Sequence, residues 1–220
     1  MQSERILTYR LRGNRITEAQ EAALNAHWKK YGLENDVPID LTRIFPSYKT
    51  KILEIGFGMG EATAILAREF PETAFLAVEV HRPGVGKLCA NLEANGSNNV
   101  RILHHDVIDV INNQLPDKSI DGVHIFFPDP WPKKRHAKRR LITPDFLRLI
   151  APKIKPGGFI HVATDWVPYA EFVKKSFSEV EELFEGGEVV RPSWRPITRF
   201  EGQGIEKDHR VTDLRYMKIS

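Results

Sequence analysis

Four acids stand at or just beyond the ends of four strand-like runs, at intervals that would gather them on one edge of a sheet. Glu54 lies in KILEI (51–55), Glu79 in FLAVEV (75–80), Asp106 closes VRILHHD (100–106), and Asp129 follows IDGVHIFF (120–127). In open α/β sheets, ligands bind beyond the carboxyl ends of the strands, near the point where strand order reverses. For any one acid the alternative is a helix cap, and at Asp106, which precedes a short helical stretch, cap and ligand readings stand equal. The loop after the first run, GFGMG, carries Gly56, Gly58 and Gly60. Glycines there allow a sharp turn and close approach to a ligand, and the helix that follows offers free N–H groups.

A dinucleotide fingerprint would need glycine at position 61, where this chain has Glu61. A carboxylate in the first turn of that helix repels a pyrophosphate, which disfavours a nucleotide-dependent oxidoreductase. The pattern suits a nucleoside without phosphates and with a cationic part, its ribose hydroxyls donating to Glu79. S-adenosylmethionine meets both conditions.

The stretch FFPDPWPKKRHAKRR (126–140) adds a second kind of chemistry. Pro128 and Pro130 stiffen the backbone on both sides of Asp129. Trp131 offers either a stacking face or a packing side chain. Lys133, Lys134, Arg135, Lys138, Arg139 and Arg140 contribute +6 to a chain whose net charge is +3, which leaves the rest at −3. A basic strip on a mildly acidic body is the footprint of a polyanion, and with the acid and the aromatic it points to a nucleic-acid base beside its phosphates.

These residues need a frame. Strand and helix signals alternate: helix 61–70 after the first strand, helix 84–95 after the second, helix 107–114 after the third. A helix from Thr143 to about Ile154 is stopped by Pro156-Gly157-Gly158, and a fifth strand (158–165) is followed by a helix over 166–184. Such βαβα alternation specifies a doubly wound, mostly parallel sheet with helices on both faces. Strand-like pieces at Val189-Val190 and Leu214 to Ile219 fit an antiparallel edge hairpin. Ahead of the sheet, Thr17 and Gln20 have capping-box spacing and open a helix over 18–31. Residues 1–16 read as a mobile basic arm, and 17–220 as one domain with a helical extension over about 17–46.

An apolar share of 41% and a charged share of 28% are ordinary for a soluble domain, and no run is long enough for a membrane span. The N-terminus shows no apolar signal segment, so a cytoplasmic protein is expected. Cys89 is the one cysteine, which removes intrachain disulfides and cysteine-rich zinc sites and leaves it as a small core residue. No metal is expected, and nothing in the sequence chooses between monomer and homodimer.

EIGFGMGE, VEVHRPGVG, FFPDPWPKKRHAKRR, ATDW and RPITRFE, in this order, resemble the signature blocks of the bacterial tRNA (guanine-N7)-methyltransferases, which are class I S-adenosylmethionine-dependent enzymes. The resemblance spans roughly 50–201, and YRLRGNRITEAQ is similar to the family's arginine-rich leader. It implies a Rossmann-like fold with a seven-stranded sheet, tRNA as partner, and methyl transfer to N7 of a variable-loop guanosine. By resemblance, Glu54, Gly56, Gly58, Gly60, Glu79, Asp106 and Asp129 bind the cofactor, and Asp129 is also the catalytic residue. Lys133, Asp165, Thr198, Arg199, Phe200 and Glu201 match substrate positions; Arg135, His136, Lys138, Arg139 and Arg140 match the RNA-contacting segment. The family usually carries Lys at Arg199 and varies at Pro132.

Chemistry limits Asp129. Guanine N7 attacks with a lone pair and has no proton to lose, so the carboxylate is expected to position the base and stabilise its growing positive charge. The alternatives are a methyltransferase for another RNA base, such as an exocyclic amine, and a non-catalytic RNA-binding relative.

Overall fold

The structure is a computed structural model that describes residues 6–9, 15–197, 201 and 210–219. Seven strands, β1 (Thr50–Ile55), β2 (Thr73–Glu79), β3 (Val100–His104), β4 (Ile120–Phe126), β5 (Ile154–Thr164), β6 (Phe184–Val189) and β7 (Thr212–Lys218), form one sheet in the order β3-β2-β1-β4-β5-β7-β6. The first five pair in parallel, and β7 runs antiparallel between β5 and β6. The helices are α1 (Glu18–Tyr31), α2 (Leu41–Ile44), α3 (Glu61–Glu69), α4 (Arg82–Asn95), α5 (Val107–Asn113), α6 (Pro144–Ile150) and α7 (Val167–Ser178). This is the expected doubly wound sheet with its antiparallel edge.

Period-two alternation sorts β1 between two cores. Leu53 and Ile55 join Val123, Ile125, Phe146 and Val173 on one face, while Ile52 joins Phe75, Leu88 and Leu92 on the other. Buried on both faces, the central strands lack the polar alternation of a half-solvated sheet. The capping box forms as expected, Gln20 N–H donating to Thr17 Oγ1 at 3.3 Å and Thr17 N–H to Gln20 Oε1 at 2.9 Å. It starts α1, which lies on α4 so closely that a Cβ at Gly86 would stand 2.3 Å from the Gln20 carbonyl oxygen. Cys89 is fully buried in this layer, and burial pushes its thiol up to about 11, which keeps it protonated.

Three expected boundaries move. The helix from Thr143 ends at Ile150 and passes through a short 3-10 turn, Ala151–Lys153. Pro152 lacks the N–H that would continue the α-helical ladder. Pro156-Gly157-Gly158, expected to precede the fifth strand, lies inside β5 at a register shift opposite Ile120 and Gly122. There a Cβ on Gly158 would sit 2.7 Å from the Asp121 carbonyl oxygen. Finally, α7 stops at Ser178 and β6 begins at Phe184, five residues before the expected strand piece, because Gly186 and Gly187 mask its strand character. No helix among the described residues is long and apolar enough to cross a membrane.

Candidate active site

Strand order reverses between β1 and β4, and a cavity of about 390 Å³ opens beyond their carboxyl ends. Gly56, Gly58, Glu79, Asp106, Phe127, Pro128 and Asp129 line it, together with Thr8 and Tyr9. Three of the four expected acids therefore meet in one space. Glu54 and Gly60 are buried and are not among its lining residues.

Glu79, at the end of β2, accepts three backbone N–H groups: Gly58 at 2.8 Å on Oε2, and Val80 at 2.6 Å and His81 at 2.9 Å on Oε1. It thereby ties the glycine loop to the turn after β2 and keeps lone-pair capacity on Oε2 for a hydroxyl. Asp106 caps α5 by accepting from Ile108 N–H at 2.8 Å, as the cap reading expected, and it also lines the cavity. Glu54 is 3% exposed and its Oε2 makes no hydrogen bond. Burial pushes its carboxyl up to about 7; Thr63 offsets part of this, and the charge of Glu79 adds to it.

Gly56 and Gly58 have φ of 74° and 58°, and a Cβ on either would meet nothing within 4 Å. The loop thus borders open space with bare backbone. Gly60 has another task, because a Cβ there would fall 2.6 Å from Leu88 Cβ; it seats α3 against α4. Gly84 does the same beneath Gly58, whose carbonyl oxygen a Cβ would reach at 1.9 Å. Bare backbone, a carboxyl oxygen without a partner, and Glu61 in the first turn of α3 fit a nucleoside bearing a cationic group and no phosphate.

The Pro128-Asp129-Pro130 turn is held between two left-handed residues, Phe127 at φ 53° and Trp131 at φ 45°. Non-glycine residues pay about 1–3 kcal/mol each for such geometry, and surrounding contacts must enforce it. Phe127 N–H donates to the Ala163 carbonyl at 2.8 Å. Arg140 Nε donates to the Pro130 carbonyl at 3.0 Å, and its guanidinium lies 4.6 Å from the Phe172 ring centre and 5.7 Å from that of Tyr169. Arg140, expected on RNA, is turned inward as the brace of this turn. The result presents Asp129 exposed at the cavity mouth.

The remaining basic residues divide by position. Lys133, Lys134, Arg135 and Lys138 are exposed on and beside a 3-10 segment, Lys134–Arg139, while His136 meets the Trp131 ring edge-on at 5.6 Å. Trp131 packs: its Nε1–H donates to the Thr8 carbonyl at 2.9 Å. Asp165, half-buried, follows β5 on the same sheet edge as Asp129. Thr198, Arg199 and Phe200 lie outside the described residues.

Glu201, expected on substrate, is 1% exposed and receives Arg195 Nη1 at 2.7 Å, Arg195 Nη2 at 2.9 Å and Arg191 Nε at 3.0 Å. Arg195 is fully buried and also donates to both oxygens of Asp213, at 2.8 and 3.0 Å. Sequence reading missed Arg195, Asp213 and the cavity residues Thr8 and Tyr9. An inward-facing Asp within the strand-like TDLRY was the one available signal for the first two. Among the described residues no cluster of His, Cys, Asp and Glu could hold a metal ion.

A family model described as "Putative methyltransferase" matches residues 48–214. The tRNA (guanine-N(7)-)-methyltransferase of Streptomyces avermitilis is 47% identical over 98% of this chain and 76% of that protein. Its namesake from Neisseria meningitidis is 46% identical over 97% of this chain and 91% of that protein. Among solved structures, the 16S rRNA methyltransferase KamB superposes with a TM-score of 0.60 at 16% identity, covering 98% of this chain and 99% of that one. An rRNA methylase from Streptococcus thermophilus gives 0.55 at 13%, covering 82% and 92%. Those two likenesses concern the fold alone. With a family model over residues 48–214 and relatives 46–47% identical across nearly its whole length, the chain belongs to the tRNA (guanine-N(7)-)-methyltransferase family.

Proposed function

We propose that this protein methylates N7 of a guanine in tRNA, forming 7-methylguanosine, in the cytoplasm where tRNA is found. The observation that carries the reading is the place of Asp129: exposed at the mouth of the acid-lined cavity, on the turn that leads directly into the basic segment. S-adenosylmethionine supplies the electrophilic methyl group when bound. Glu79 and Asp106 line the space for its nucleoside, and the unpaired oxygen of Glu54 behind the glycine loop favours a positive charge there.

Asp129 acts on the other side of the reaction. Its carboxylate can accept from guanine N1–H and the exocyclic amine, which fixes the ring and leaves N7 directed at the methyl group. Because N7 uses its lone pair, one C–N bond forms as the sulfonium S–C bond breaks, and no proton leaves. The positive charge moves onto the base, where the carboxylate stabilises it. The hydrogen bonds of Phe127, Arg140 and Trp131 keep the strained turn around Asp129 from relaxing, so orientation is set before the base arrives. Exposed Lys133, Lys134, Arg135 and Lys138 meet tRNA phosphates, which position without reading sequence.

Asp129→Asn keeps shape and removes charge. Single-turnover methyl transfer should slow on the order of 100-fold while cofactor affinity changes little. A rate near wild type would remove Asp129 from the mechanism. Mapping the methylated nucleotide in an unmodified tRNA completes the test, since a product other than 7-methylguanosine overturns the reaction itself.

A further inference from the structure

Residues 6–9 bring Thr8 and Tyr9 into the wall of the cofactor cavity, yet the segment has little apolar anchorage of its own. Ile6 and Leu7 are each 42% exposed, whereas Thr8 and Tyr9 are half-buried. The hooks are polar. Trp131 Nε1–H donates to the Thr8 carbonyl at 2.9 Å, and Arg139 Nη1 reaches the Leu7 carbonyl at 3.4 Å. Trp131 itself is held in the left-handed region, its ring braced by the His136 edge and by the Arg139 guanidinium at 5.1 Å. Arg140 fixes the carbonyl just before it.

We propose that Trp131 is a positioning residue for cofactor binding: its indole N–H fastens residues 6–9 so that Tyr9 forms the outer wall of the S-adenosylmethionine cavity. The hydrogen bond spans 123 positions in sequence, so it joins the turn that carries Asp129 directly to the backbone of the segment that lines the cavity. Closing that wall removes water from the nucleoside and slows its escape, which raises affinity without touching the reacting atoms. The aromatic ring of Trp131 is thereby assigned to the cofactor side of the site, and its indole N–H is unavailable to RNA while the segment is docked.

The proposal rests on the cavity being the S-adenosylmethionine site, and the test separates the two. S-adenosylhomocysteine is titrated into the full chain as wild type, Trp131→Phe, Tyr9→Ala and the double variant. Trp131→Phe keeps the ring and its contacts with His136 and Arg139 but loses the donor, so binding should weaken about 2- to 10-fold, the scale of one net hydrogen bond. The KM for S-adenosylmethionine should rise by the same factor, with kcat within about 2-fold of wild type at saturating cofactor. If Trp131 acts through Tyr9, the double variant binds no more weakly than Tyr9→Ala alone. Multiplicative losses, or a Trp131→Phe variant that binds like wild type, would overturn the proposal. A wild-type chain that does not bind S-adenosylhomocysteine would instead overturn the reading of the cavity.

Discussion

Two acid-rich regions of this sheet treat charge in opposite ways. Between β5 and β7, Asp213 and Glu201 are buried against Arg195, whose Nε, Nη1 and Nη2 all donate to them, and His161 Nε2 adds a further hydrogen bond to Asp213 at 2.8 Å. Burial alone would raise the Asp213 carboxyl, but His161 and Arg195 more than offset it and hold it below the usual carboxylate range. At the carboxyl ends of β1 and β2, Glu54 and Glu79 are also buried, yet no lysine or arginine lines the cavity among the described residues. Glu79 is satisfied by backbone N–H groups alone, and Glu54 keeps an unpaired oxygen. A cluster that balances its own charge is scaffold. One that leaves negative charge unbalanced beside open space is complementary to a cation from outside, which is what a sulfonium nucleoside brings.

The sharpest way to break this contrast is to remove the cation from the balanced cluster. Arg195→Met retains much of the volume but strands two buried carboxylates, so unfolding free energy should fall by about 3–5 kcal/mol. A urea titration reads this directly. A loss below about 1 kcal/mol would show that water or a rearranged Arg191 replaces Arg195, and the cluster would no longer count as scaffold.

The unbalanced cluster should respond with the opposite sign. Folding raises the Glu54 carboxyl from 4.5 to about 7. The folded state therefore holds a proton that the unfolded state releases between those values, and wild-type stability falls as pH rises through that window. The effect is on the order of 3 kcal/mol at most. Glu54→Gln cannot ionise, so without cofactor it should be more stable than wild type at pH 8, with the advantage vanishing toward pH 4.5. Its affinity for S-adenosylmethionine should drop, since the anion is gone. If thermal melts show Glu54→Gln less stable than wild type at pH 8, Glu54 is a structural group and the contrast fails.

What the sequence disclosed follows the same division. The strands, the glycine loop and the strand-end acids were legible because each rests on local pattern: apolar runs, turn glycines, and an acid where a strand stops. The scaffold cluster was not, because Arg195 reaches Asp213 across 18 positions and no local pattern marks an arginine for burial. Gly186 and Gly187 hid the start of β6, and Pro152 ended α6 before the glycines that seemed to end it. Glu201 belongs to both accounts. It matched a substrate position by resemblance, and its contacts are those of a scaffold acid. The N-terminal segment was invisible as a cavity wall because its polar, aperiodic sequence carries no sign of the tryptophan that holds it.

The smallest effects test the same distinction within the basic strip, where charges that looked equivalent face different ways. Arg140 is committed to the Pro130 carbonyl and to the rings of Phe172 and Tyr169, whereas Lys134 and Arg135 are exposed. Replacing Lys134 and Arg135 together by Ala should leave the melting temperature within about 1–2 °C of wild type and lower the salt slope of tRNA binding by roughly 1–2. Arg140→Ala should do the reverse: the slope stays near wild type, and stability falls by about 1 kcal/mol as the turn that carries Asp129 loses its brace. If Arg140→Ala instead flattens the salt dependence as much as the exposed pair does, the guanidinium leaves its carbonyls for a phosphate when tRNA binds. The turn would then be held by RNA during the reaction, and Asp129 would reach its working position only with substrate present.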